Sequence, residues 1–120
     1  MSTNLDPLDP RPRIEPDGRI AGQRCTACRR ASIHPVQRCP ACGADLERAG
    51  FEPTGAVWAS TVVRIPVPGR EPPFGLCYVD LDDGPRVLAH VRGINEPVPV
   101  GRRVQVRGMT DQGDLEVEPT

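Results

Sequence analysis

Four cysteines stand in two pairs of identical spacing: Cys25 and Cys28 in CTAC and, after ten intervening residues, Cys39 and Cys42 in CPAC. Each CxxC loop can aim two thiolates at one point, and four thiolates at about 2.3 Å complete the tetrahedral shell of a structural zinc ion. Gly43, directly after the second pair, suits the positive-φ turn that points backbone N–H groups at sulfur. A closed shell of four sulfurs leaves no open coordination position for water or substrate, so the chemistry is cross-linking of the chain rather than catalysis.

Iron in a rubredoxin-like site is the alternative, because CPACG resembles a rubredoxin knuckle and tetrahedral sulfur suits either metal. His34 lies between the knuckles and could replace a ligand, although four cysteines already suffice. Cys77 falls in an apolar run whose neighbours supply no basic or exposed setting, which reads as a buried, inert thiol. His90 alternates with Val87, Ala89 and Val91, close in sequence to Asp80, Asp82 and Asp83. A His with an acid could act as a base, but no Ser or Cys sits in a recognisable elbow and no Gly-rich loop could cradle phosphate. The carboxylates read as turn formers and solvated surface.

These residues need elements to hold them. Residues 1–18 contain four prolines and almost no apolar periodicity, as expected of an extended arm that orders only against something else. Residues 19–50 carry the two knuckles as a zinc ribbon. From residue 51 to 120 the pattern changes to short β-type runs at 55–67, 74–81, 86–91, 102–109 and 115–117, separated by Gly and Pro. In the first run, strict alternation places Val57, Ala59, Thr61, Val63 and Ile65 on one face, with Trp58, Ser60, Val62 and Arg64 on the other. The Asp82-Asp83-Gly84-Pro85 turn suits a hairpin, Gly84 favouring positive φ.

Five strands, the first long, with a meander of three and a final hairpin, match a small Greek-key barrel of the OB type. A sandwich fragment or an SH3-like barrel would fit almost as well. The fold class expected is therefore mainly β: a rubredoxin-like zinc ribbon followed by a five-stranded OB-fold barrel.

Composition narrows the function. With 120 residues there is no room for a large enclosed cleft, and with 38% apolar residues and four aromatics the core is thin, so that a metal would help hold it. The net charge of -1 gives no field for a polyanion. The balance is uneven, however: residues 19–48 hold six arginines against two acids, a net of +4, and residues 51–120 seven arginines against ten acids, a net of -3. No stretch approaches the ~20 apolar residues of a membrane span and no signal-peptide pattern opens the chain, so a cytoplasmic location with reduced thiols is expected.

The order of CTAC, CPACG, GAVWASTVVRIPVP, FGLCYVDLDDGPRVLAHVRG and PVPVGRRVQV resembles the zinc-ribbon plus OB-fold family catalogued as domain of unknown function thirty-five, over about residues 19–110. The cysteine pairs are generic; VDLDDGPRVLA followed by VGRRVQV is far more particular. The resemblance implies a small non-catalytic partner of thiolase-like enzymes, some relatives being fused to or paired with hydratases of steroid side-chain degradation. It implies a subunit that stabilises a thiolase-fold partner, of thiolase or steroid side-chain aldolase type, and helps shape its acyl-CoA channel, with a coenzyme A thioester as ligand of the complex. No catalytic residue is carried over. The proline-rich N-terminus departs from the helical hairpin that often precedes the ribbon, so no contact made by that hairpin is carried over.

Arg24, Arg29, Arg30 and Arg38 are the candidates to meet CoA phosphates or acids of the partner. The competing class is a single-stranded nucleic-acid binder, for which a barrel of net -3 with few aromatics is poorly suited.

Overall fold

The computed structural model describes residues 11–33 and 36–120. The expected site of His34, and residues 1–10 of the expected arm, lie outside the described residues. Eight strands and no helix occur among the described residues. Strands β1 (Ile20–Cys25), β2 (Ala31–Ser32) and β3 (Leu46–Phe51) form an antiparallel sheet in the order β2-β1-β3. Strands β4 (Thr54–Val63), β5 (Phe74–Leu81), β6 (Arg86–Val91), β7 (Arg103–Met109) and β8 (Leu115–Pro119) close into a barrel in the order β4-β5-β6-β8-β7. The first three are a meander, β7 and β8 a hairpin, and β6 runs parallel to β8. This is the OB arrangement read from the sequence.

The barrel fills its interior with alternate residues. Gly75, Cys77, Val79 and Leu81 of β5 point inward with Val87, Ala89 and Val91 of β6, Val104 and Val106 of β7, and Leu115 and Val117 of β8. Cys77 is only 2% exposed, and burial pushes its thiol up to about 11, as an inert core cysteine requires.

Two expectations from the sequence need correction. The first strand does not alternate throughout. Val57 pairs with Val79 but Ala59 pairs with Tyr78, so Trp58 is the extra residue of a β-bulge. Past the bulge the faces exchange. Ser60 lies opposite the buried Cys77 and its Oγ accepts the Val98 N–H at 2.9 Å, whereas Thr61 is exposed. The strand also ends at Val63, leaving Ile65 67% exposed.

The second correction concerns Gly84, which has no positive φ. Its need for a missing side chain comes from packing: a Cβ there would approach the Phe51 ring to 2.7 Å, and one on Gly22 would meet the same ring at 2.5 Å.

Phe51 is accordingly the joint of the molecule. It ends β3, is fully buried, and belongs to the same cluster as Ile20 and the barrel core. Arg24 of the ribbon lies 5.4 Å over its ring and donates to the Asp83 carbonyl in the β5–β6 turn. The Asp83 carboxylate in turn accepts the Glu52 N–H at 2.9 Å. Residues 11–18 fold back on this body. Ile14 bridges Ile20, Ala21 donates to the Arg13 carbonyl at 2.8 Å, and Arg11 reaches Asp114 at 3.5 Å.

Asp82, in the same turn, ties three elements together. Its carboxylate accepts two hydrogen bonds from Arg103 of β7, at 2.7 and 2.6 Å, and one from the Thr54 hydroxyl of β4 at 2.7 Å. The Arg103 guanidinium, then Thr54, lower its pKa from 3.8 to about 2. A depressed carboxylate stabilises the fold above its unfolded value and loses that contribution as pH falls through the folded one. The Asp82→Asn protein is thus expected to melt below the wild type at pH 7. Thermal scans should show the gap closing between about pH 4 and pH 2.

Candidate metal centre

The two knuckles are copies of one local structure. In the first, Arg29 N–H donates to the Cys25 carbonyl at 3.2 Å and Cys25 N–H to the Arg30 carbonyl at 2.9 Å. In the second, Gly43 N–H donates to the Cys39 carbonyl at 2.8 Å and Cys39 N–H to the Ala44 carbonyl at 3.0 Å. The residue after each pair turns at positive φ: 66° at Arg29 and 79° at Gly43. A Cβ on Gly43 would meet nothing within 4 Å. Gly43→Ala is therefore expected to cost only the left-handed backbone strain, about 1–2 kcal/mol, as read by thermal melting of the metal-loaded protein.

The knuckles bring Cys25, Cys28, Cys39 and Cys42 together with all four sulfurs within 4.8 Å of one another. Cys25 and Cys42 Sγ lie 3.4 Å apart, and Cys28 and Cys39 Sγ 3.7 Å apart. A tetrahedron with metal–sulfur bonds of about 2.3 Å has edges of about 3.8 Å, so the donor set fits one such ion. No disulfide links the four.

Backbone N–H groups prepare the sulfurs for the thiolate form. Cys28 and Ala27 donate to Cys25 Sγ at 3.4 Å, and Ala41 donates to Cys39 Sγ at 3.4 Å. The Cys28 N–H, followed by that of Ala27, brings Cys25 down to about 6, and the Cys42 N–H leads the lowering of Cys39. The Arg30 N–H also lowers Cys28, but the neighbouring sulfurs together with desolvation outweigh it and carry that thiol up to about 11. Four negative sulfurs so close repel one another unless a cation sits among them, which is the electrostatic case for a metal here.

The arginines considered as anion contacts are largely engaged within the chain. Arg24 clamps the Phe51 joint, Arg29 pairs with Glu47 at 3.1 Å, and Arg38 pairs with Asp45 at 3.0 Å. Arg30 is exposed.

His90 is on the outer face of β6, opposite Val87, Ala89 and Val91, and is nevertheless covered. Phe74 stacks on it at 5.8 Å and Asp114 lies 3.4 Å from Nε2. Burial, with help from Arg70, lowers its pKa, and Nδ1 is shut off from solvent without a hydrogen-bond partner among the described residues. It lines the wall of an open cavity of about 380 Å³ with Arg70, Gln112 and Glu116. Asp80, Asp82 and Asp83, its neighbours in sequence, bond instead to Arg86, Arg103 and the Glu52 backbone. The acid that reaches His90 is Asp114, which also gathers Arg11 and Arg70, so that its three partners come from three separate parts of the chain. No sequence spacing could have signalled that grouping.

Comparison with known proteins agrees with both halves. Residues 14–47 match the family model described as "ChsH2, rubredoxin-like zinc ribbon domain", and residues 51–108 match "ChsH2, C-terminal OB-fold domain". The chain belongs to this zinc-ribbon plus OB-fold family. Among relatives, it is 32% identical over 99 residues to a "Probable enoyl-CoA hydratase alpha subunit" of Thermomonospora curvata, covering 72% of this chain and 31% of that protein. It is 36% identical over 75 residues to a "DUF35 domain-containing scaffold protein" of Pyrococcus furiosus, covering 60% and 54%. The chain thus spans about a third and about half of the length of these curated relatives.

Among solved structures, one chain of the "Ltp2-ChsH2(DUF35) aldolase" superposes with a TM-score of 0.71 at 27% identity, over 84% of each chain. A DUF35-family protein of Sulfolobus solfataricus, 18% identical with a TM-score of 0.63, shares the fold over 87% of this chain and 78% of its own. No helix among the described residues is long and apolar enough to cross a membrane.

Proposed function

We propose that this chain is a non-catalytic accessory subunit of an enzyme acting on acyl-CoA thioesters. Its ribbon is held by one zinc ion on Cys25, Cys28, Cys39 and Cys42. The observation that carries the reading is the superposition on the aldolase chain over 84% of both molecules, because a match of that extent takes in parts of both ribbon and barrel rather than a generic knuckle alone. The hydratase relative, of which the chain matches only 31%, supports the same reading: there the unit is part of a longer enzyme subunit.

In this role the zinc supplies a rigid cross-link, and the chain's own residues do the rest. Phe51, with Arg24 and Asp83, fixes the ribbon against the barrel, so that a partner meets one rigid surface. The partner is of thiolase-fold or hydratase type, and the subunit stabilises it and borders its acyl-CoA channel. Arg30, exposed on the first knuckle, is the free-standing candidate among the four arginines for an acid or phosphate there. His90, packed under Phe74, takes no part in chemistry, and His90→Ala is expected to leave the partner's activity nearly unchanged.

The test is purification of the tagged protein from its native host, with co-purifying chains identified by mass spectrometry and metal measured on the same sample. An acyl-CoA enzyme chain together with about one zinc per copy supports the proposal. Iron in place of zinc overturns the metal assignment, and recovery of no enzyme chain overturns the accessory role.

A further inference from the structure

Strands β4, β5 and β6 present a second feature that the metal centre leaves unexplained. Trp58, the bulge residue of β4, lies on the outer face, and the register sets Ala59 beside Tyr78 and Tyr78 beside Leu88. Trp58 is 50% exposed and Tyr78 and Leu88 45% each, in a single row across three strands. The two rings meet edge to face at 6.1 Å. Arg86 lies 3.8 Å over the indole while its guanidinium bonds to Asp80 at 2.7 and 3.3 Å, so the tryptophan is held in one pose. Two aromatics and an arginine, rigid and grouped, have the composition of an interface hot spot.

We infer that the Trp58–Tyr78–Leu88 row, with Arg86 at its edge, is the surface on which the barrel docks its enzyme partner; this deepens the accessory-subunit reading and rests on it. Area and charge decide the occupant. The exposed apolar part of the row amounts to about 300 Å². A specific interface needs about 800 Å² per partner, so two copies of this chain meeting through the row alone would fall well short. The occupant is a larger protein that covers the row and extends over its polar rim. A nucleic acid would need unpaired cations, whereas Arg86 is satisfied by Asp80 and Arg92 by Glu116 at 2.7 and 3.3 Å. The complementary surface is apolar, with polar groups placed to meet Asp80 and Arg86.

Trp58 is the sole tryptophan, so the chain grown with fluorotryptophan has one fluorine resonance, which reports this row. The probe is the enzyme chain that co-purifies with the wild type. Binding is expected to shift the resonance and remove its sensitivity to exchange of water for heavy water. The Tyr78→Ala/Leu88→Asp double variant is expected to bind at least about 100-fold more weakly, with unchanged melting temperature and metal content.

If the complex leaves the resonance unmoved, or the folded variant binds like the wild type, the row is not the docking surface while the accessory role stands. If no enzyme chain is recovered with the wild type, both readings fall. A resonance that moves with oligothymidine in a salt-dependent way assigns the row to nucleic acid instead. A wild-type dimer that the variant dissociates assigns it to a second copy. Either result overturns the inference.

Discussion

Cys39→Ser is expected to cut the metal content from about one ion per chain to nearly none and to unfold the ribbon. The reason is how little else holds that half of the molecule. Its sheet has two strands of six residues and one of two, and of its apolar residues only Ile20 and Phe51 join the buried cluster outright. Ala31, Ile33 and Ala49 are only partly buried. Cys39 itself is 3% exposed and anchors the second knuckle through its backbone, so a serine there leaves the local chain geometry but removes a thiolate. In small zinc modules the metal contributes about 10–16 kcal/mol of apparent folding free energy, more than a core of this size supplies. Hydrogen exchange should show loss of amide protection through β1 and β3, with protection retained in β5 and β6. Undiminished protection in the ribbon of the metal-free variant would show that packing alone holds it.

Phe51→Ala is expected to destabilise the whole chain by about 3–5 kcal/mol and to lower its melting temperature by more than about 10 °C. The ring is fully buried, and the backbones of Gly22 and Gly84 approach it so closely that neither position accepts a Cβ without displacement. Deleting it leaves a cavity between ribbon and barrel that these two backbones cannot fill, and takes away the face on which Arg24 rests. The variant should keep its metal, because the four thiolates are untouched. Melting and metal analysis on the same sample separate this effect from that of Cys39→Ser. Two transitions in place of one would show that the ribbon and the barrel have been uncoupled.

The two variants bracket what the sequence could and could not announce. The metal centre was legible at once, because two CxxC pairs bring their own local geometry: a knuckle is built from contacts among residues at most five apart, and Gly43 signals its turn directly. The barrel was legible almost as well, since each strand declares itself by alternation and the turns by Gly and Pro. The inward positions of β5 and the inert Cys77 followed from the period of two alone.

What only the tertiary structure decided depends on residues far apart in the chain. The bulge at Trp58 adds one residue to β4 against β5, which reverses the faces from Ala59 onward, setting Ala59 opposite Tyr78 and Ser60 opposite the buried Cys77; a strictly alternating reading has no means of placing such an insertion. Gly84 looked like a turn glycine and proved to be a packing glycine, because the ring it makes room for lies 33 positions earlier at Phe51. Arg24 and Arg38 looked like free cations until their partners, at Asp83 and Asp45, came into view. The sequence by itself determined which four cysteines come together and where the five barrel strands run, both of which rest on short-range spacing. The tertiary structure decided which side chains join ribbon to barrel and which remain outside for a partner, because those depend on register and on contacts between distant segments.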